Sequence, residues 1–315
     1  RDDDPNDRID HDDRRDLRGG RLVAAWLDHF DAREQNTMDS WITVDKKADP
    51  DASPGFVRHY YLDTSDCLGS EWDWDEVSKR LGHSYLFDFD DVGADFITFG
   101  VPERPWDRAK RSPGNEIFGY FAIEDFDGST WKNEYPNPTF SRMTEHDGAW
   151  MARILARFTP EMVTTLADMG RFTSKDATEH LRLVLEGRLE QILSRYLTKL
   201  SPIGELRVDG KDKLCGVDLA RLRKVRDPST FRYGATLGRA PADPAARPVA
   251  VTPGVDGAVC ATLPHVAADG GVPDSHASRY VVVTMTNGVA EGPLEAHLYD
   301  LGPQKGYRLV GVVRP

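Results

Sequence analysis

His29-Phe30-Asp31-Ala32-Arg33-Glu34-Gln35-Asn36 spaces three polar residues as His-x-Asp-x-x-x-x-Asn, and a further acid, Asp63, follows two β-prone stretches. These are the residue types that phosphoryl transfer needs. One carboxylate beside an attacking hydroxyl acts as base, while an amide oxygen and a second carboxylate hold the Mg²⁺ or Mn²⁺ that bridges the phosphates. The spacing gives those roles to Asp31, Asn36 and Asp63. Arg33 stands where a cation can meet a phosphate, although an ion pair with a nearby carboxylate explains it nearly as well. His29 is expected to fix the loop by hydrogen bonding rather than to move a proton. With 52 Asp and Glu in the chain, such a pattern also arises by chance. Asp31 and Asn36 then read as ordinary turn residues.

The neighbouring elements favour the chemical reading. Residues 37–44 (TMDSWITV) and 56–62 (FVRHYYL) are β-prone, and 45–55 is charged with two Pro and a Gly, so a hairpin is expected. Asn36 and Asp63 then meet at its open end, on strands about 4.8 Å apart. Upstream, residues 12–28 place Leu17, Leu22, Val23, Ala25, Trp26 and Leu27 on one broad helical face with acids in the first turn. A buried helix therefore runs directly into the Asp31 loop.

That order of helix, loop and strand pair has the spacing of a protein-kinase catalytic loop and its metal-binding Asp. Residues 4–69 resemble an uncharacterised bacterial family distantly related to protein kinases. The matching motifs are Arg14-Arg15-Asp16-Leu17-Arg18-Gly19, Ala24-Ala25-Trp26-Leu27, Leu62-Asp63-Thr64-Ser65 and Leu68-Gly69-Ser70, with Trp131-Lys132-Asn133-Glu134-Tyr135-Pro136-Asn137-Pro138 further on. The resemblance covers about the first two hundred residues. It implies a mainly helical, kinase-like C-lobe that uses ATP with Mg²⁺ or Mn²⁺. Two departures stand out. Phe30 replaces the usual loop Arg, which removes a cation for a phosphorylated activation loop. Thr64-Ser65 replaces Phe-Gly, so the Asp is kept without the apolar switch beside it.

No Gly-rich phosphate loop or strand-borne Lys precedes the helix, and a kinase needs both. The expectation is that the N-lobe lies in an upstream segment of a longer protein or in a partner chain. The competing expectation is a pseudokinase-type binding or structural module that does not use ATP. The acceptor is not encoded in any motif.

The whole chain is expected to be α+β: a kinase-like C-lobe over residues 1–202, then a small antiparallel all-β domain over 203–315. Helices are predicted at 148–158, from Pro160 to near Gly170 with Thr159 as N-cap, and at 174–200, whose leucine stripe should pack on the helix before Asp31. Residues 85–99 also read as helical, and 66–82 as the activation segment. Asp209-Gly210 marks a hairpin, 280–286, 294–301 and 307–313 alternate like a meander, and 238–254 reads as a Pro/Ala-rich linker or loop. Acidic aromatic runs at 71–76 and 88–91 lack the Gly and alternation of a calcium loop and read as solvated surface. His265, His276 and His297 are dispersed and read as strand or turn residues.

A net charge of −12 and a pI near 5.2 disfavour nucleic acid and anionic membrane as partners. No apolar run approaches the roughly 20 residues of a transmembrane helix. Cys67, Cys215 and Cys260 are too scattered for a zinc site, and the odd count leaves one thiol over. These features leave the compartment open, with the bacterial envelope or secretion slightly favoured.

Overall fold

The computed structural model describes residues 13–33, 36–45, 47, 49, 53–69, 75–265 and 279–315. Glu34, Gln35, most of the acidic 71–76 run and His276 therefore lie outside the described residues. The chain is mixed α and β with antiparallel sheets. It divides into two compact units, Arg1–Met151 with Phe158–Ile192, and Ala152–Arg157 with Leu193–Pro315.

In order, the chain forms α1 (Arg15–Leu27), β1 (Thr37–Thr43), β2 (Gly55–Tyr61), α2 (Asp75–Ser78), α3 (Phe89–Thr98), α4 (Pro138–Ser141), α5 (Glu145–Leu155), α6 (Pro160–Met169) and α7 (Lys175–Tyr196). Its helical periodicity turns Leu22, Ala25 and Trp26 of α1 inward, where all three are buried. Asp28 ends α1 in the left-handed conformation at φ 53°, which an Asp tolerates better than most residues, and so turns the Asp31 loop away from the helix axis. The stripe of α7 backs this helix. The Trp26 indole N–H donates to the Leu185 carbonyl at 2.8 Å, and Leu181, Val184, Leu185 and Leu189 are buried.

Three helix boundaries differ from expectation, each for a local reason. The helix expected from 148 begins at Glu145, because the Thr144 N–H and hydroxyl both donate to the Asp147 carboxylate and cap the chain earlier. The helix expected over 85–99 is confined to Phe89–Thr98: the Asp88 side chain accepts from the Asp90 N–H and starts it there. α7 stops at Tyr196 rather than 200, giving way to turn over 197–199, where the Thr198 hydroxyl donates to the Ser194 carbonyl at 2.9 Å. α6 is capped by Thr159 and stops before Gly170, as its sequence requires.

The second unit contains β3 (Ile203–Asp209), β4 (Lys213–Asp218), α8 (Leu219–Leu222), β5 (Gly234–Gly238), β6 (Arg247–Val249), β7 (Val251–Pro253), β8 (Ala258–Thr262), β9 (Tyr280–Thr286), β10 (Leu294–Asp300) and β11 (Tyr307–Val313). One sheet has the order β11-β10-β9-β5-β6 and the other β3-β4-β8-β7. Their inward residues share one core, with Leu214, Val259 and Ala261 from the smaller sheet and Val281, Met285 and Leu298 from the larger. The 238–254 segment is not a plain linker: it carries β6 and β7. Both are edge strands, the position where their Pro248 and Pro253 cost no ladder hydrogen bond. Cys215 and Cys260 face each other across β4 and β8 and form a disulfide, leaving Cys67 without one. His265 pairs with Asp300 at 2.6 Å and His297 with the Tyr280 hydroxyl at 2.5 Å, so both act as strand-positioning groups. No described helix is long and apolar enough to cross a membrane.

Candidate functional site

The loop after α1 is held by main-chain bonds at both ends. The His29 N–H donates to the Ala24 carbonyl at 2.8 Å, and the Asn36 N–H to the Arg33 carbonyl at 2.9 Å. β1 and β2 pair from Thr37↔Tyr61 to Thr43↔Gly55. The Leu62 N–H then donates to the Asn36 carbonyl at 2.7 Å, so the chain returns to the loop one residue before Asp63. Within the hairpin, Asp39 and His59 sit opposite each other and pair at 2.5 Å.

Asp31, Arg33 and Asn36 come together. The Asn36 amide nitrogen donates both to the Asp31 carbonyl at 2.9 Å and to the Asp31 carboxylate at 2.5 Å. Two acceptors on one side fix the amide orientation, since its oxygen turned toward them would be repelled; the oxygen therefore points away from Asp31. Arg33 Nε lies 2.7 Å from the other carboxylate oxygen of Asp31, a close ion contact without hydrogen-bond alignment, and its guanidinium stacks over Tyr135 at 5.3 Å. Asp31 and Asn36 are buried and Arg33 is half-buried.

His29 is buried too, with neither ring nitrogen aligned for a full hydrogen bond. Burial pushes its pKa down; the Asp66 backbone and the carboxylates of Asp31, Asp66 and Asp63 oppose that shift without reversing it. His29 is thus a mainly neutral ring held among three acids, packed edge-on to Tyr61 at 6.2 Å. Asp63 has a left-handed backbone, φ 52°, and is exposed beside the loop, where its carboxylate accepts from the Ser65 hydroxyl at 2.8 Å. Burial, and then Asp31 and Asp63, raise the pKa of Asp66. Burial first, and the nearby Asp28 and Asp66 after it, push the Cys67 thiol up to about 12, which leaves it inert as a nucleophile.

One group in this cluster was not singled out from its residue type: Glu134. It is buried, its N–H donates to the Phe30 carbonyl at 2.6 Å, and its carboxyl hydrogen-bonds the Asp31 side chain. The segment around it wraps the whole loop. Asn133 and Asn137 amides donate to the Ala32 carbonyl at 3.3 and 3.1 Å, and the Trp131 indole donates to Asp28 at 2.8 Å. The available signal was the Trp131–Pro138 motif itself, whose polar residues converge on residues 28–32.

No protein-family model, curated protein or solved structure matches the chain. Among the described residues, no group of three or more His, Cys, Asp or Glu is arranged to hold a metal ion. What the loop and hairpin offer is two oxygens, Asn36 Oδ1 and the Asp63 carboxylate. Two oxygens do not by themselves make a protein cage for a cation.

Glu134 makes the site pH-sensitive. Burial, and then the hydrogen bond and charge of Asp31, raise its pKa to about 7. A carboxyl whose folded pKa exceeds its unfolded value binds its proton more tightly when folded. Its stabilisation is full below about pH 4.5 and is lost as pH rises through about 7. Glu134→Gln keeps a donor toward Asp31 but cannot titrate. Melting followed by Trp fluorescence is expected to show wild type losing more stability than Glu134→Gln between pH 4.5 and 7.5. A difference between the two that does not change with pH would remove this assignment.

Proposed function

We propose that this protein carries the catalytic loop of a kinase-like phosphotransferase, moving the γ-phosphoryl group of ATP to an acceptor hydroxyl. The observation that carries the reading is the Asn36 amide. It spends its nitrogen on the Asp31 carbonyl and carboxylate and so leaves Oδ1 for a cation, while the hairpin returns Asp63 to the same end of the loop. On this reading Asp31 accepts the acceptor's proton, and Arg33 and Asn36 hold its carboxylate in place. His29 keeps the loop packed. Asn36 and Asp63 hold Mg²⁺ or Mn²⁺, which supplies charge neutralisation on the phosphates. The resemblance of residues 4–69 and 131–138 to a kinase-related bacterial family supports the same assignment, with a kinase-like C-lobe as the finer description of the first unit. The Cys215–Cys260 disulfide supports an oxidising compartment, envelope or secreted.

The second reading, a pseudokinase-type binding or structural module, is favoured by one feature. Asp31 is engaged at once by Asn36, Arg33 and Glu134, as a structural node is.

Manganese titration followed by water-proton relaxation separates the two. The phosphotransferase reading expects a weak site on residues 1–315 that is lost in Asp63→Asn. Equal binding by wild type and variant would favour the module. MgATP itself should bind this chain only weakly, because adenine and phosphates are held largely by a Gly-rich loop and strand-borne Lys that this sequence does not contain. Micromolar ATP affinity by calorimetry would contradict that division of labour.

A further inference from the structure

Helix α3 is amphipathic in the reverse sense to an ordinary surface helix. At 100° per residue, Asp88, Asp91 and Asp95 fall on one arc, and Phe89, Val92, Phe96 and Ile97 on another. The acidic arc is the anchored one. Arg104 binds Asp95 at 2.7 Å and Asp91 at 3.3 Å, the Ser84 hydroxyl donates to Asp91 at 2.5 Å, and Lys132 pairs with Asp88 at 2.6 Å. The half-buried positions of the helix are Asp91, Asp95 and Thr98, and no residue of it is fully buried.

The apolar arc therefore faces outward. Phe89 is 79% exposed, Phe96 84%, Ile97 77%, and Phe99, just beyond the helix, 92%. Val92, on the same arc, and Val101, two residues past Phe99, are exposed as well. With roughly 200 Å² per aromatic side chain, these six residues present about 800 Å² of apolar surface. The largest such patch on an ordinary monomer is about 300–600 Å². About 800 Å² per partner is what a standard-size protein interface buries. The size of the patch thus matches one side of a stable interface.

We propose that this surface is the contact between two copies of the chain, with α3 of each packed against α3 of the other about a two-fold axis. Three features fit a second copy. A two-fold axis lets one patch cover its own twin, which removes both exposed surfaces together. Gly93 lies inside the apolar arc, where an added Cβ would meet nothing within 4 Å, so a second helix can approach the backbone there. Asp88, Asp91 and Asp95 are already paired with Lys132 and Arg104, which lowers the repulsion that two acidic chains would otherwise feel at the contact. A lipid surface fits less well, because the helix and its N-cap carry four Asp, with a single Lys and Arg beside them.

The test is sedimentation equilibrium of the full chain over about 1–100 µM, with Phe96→Asp/Ile97→Asp as the variant. Both side chains point to solvent, so the variant should keep the wild-type circular dichroism. Wild type is expected to dimerise, and the variant's dissociation constant to rise at least about thirtyfold. In wild type, amide hydrogen exchange over 89–101 should slow as concentration rises. If the variant misfolds, that concentration dependence decides alone. A monomer at every concentration, a dimer that the double substitution leaves intact, or a monomer that floats with phosphatidylcholine vesicles would each overturn the proposal, the last assigning the patch to lipid.

Discussion

Asp31→Asn is expected to lower phosphate transfer by about 10²–10⁴-fold, the range for loss of a positioned general base. The substitution keeps the shape of the side chain and an acceptor for the Asn36 amide, so the loop should stay folded. Asp63→Asn removes the carboxylate that is exposed beside the loop and, on the proposed reading, half of the oxygens that would hold the metal. Its loss should be of similar order and should be partly masked at high Mn²⁺, whereas the Asp31 defect should not respond to metal. The assay is transfer from labelled ATP, or ATP hydrolysis, at high MgATP, with both variants first shown to melt like wild type. Activity retained in full by either variant would remove that residue from the chemistry. Absence of activity in wild type with any divalent ion would make the binding-module reading the better one.

Much of this site was legible because its signals are local. The Asp31-to-Asn36 spacing fixes a turn whose end can reach back to its start, and the amide of Asn36 does so. The hairpin was readable from β-prone residues on either side of a charged, Pro-containing tip, and its register brings Leu62 to Asn36. Glu134 was not legible in the same way. It is separated from Asp31 by 103 positions, 134 − 31, and only the fold shows that its carboxyl bonds Asp31. The same limit hid β6 and β7, since Pro248 and Pro253 argue against strands until a sheet edge is available to accept them. α3 posed a third kind of problem. Its apolar spacing is that of a buried helix, and nothing in the periodicity says that Arg104 and Lys132 hold it by the opposite face.

The largest effect on stability is expected from Arg188, which supports the loop from beneath without touching Asp31. Its side chain is fully enclosed: the guanidinium donates to the Ala25 carbonyl at 2.7 Å and to the Ala122 carbonyl at 3.3 Å, and lies 3.3 Å from the Asp28 carboxylate. The Phe126 and Phe121 rings cover it at 3.9 and 4.5 Å. Burial lowers its pKa to about 10, against the opposing pull of Asp28, which still leaves it charged at neutral pH. Asp28 is the left-handed residue that ends α1, and it also accepts from Trp131. Replacing Arg188 by Met fills part of the volume but strands a buried carboxylate and two carbonyls, a loss of about 3–5 kcal/mol. For a unit of this size that corresponds to a fall of about 10 °C or more in Tm. All seven Trp lie in Arg1–Met151, so Trp fluorescence reads the first unit alone and avoids treating the chain as a single two-state system. Asp28→Asn combined with Arg188→Met should cost clearly less than the sum of the two single changes, because the second change removes the charge that the first left unpaired. Additive losses would mean that the two groups are independently packed, and that the turn into the Asp31 loop is held by Trp131 and the backbone instead.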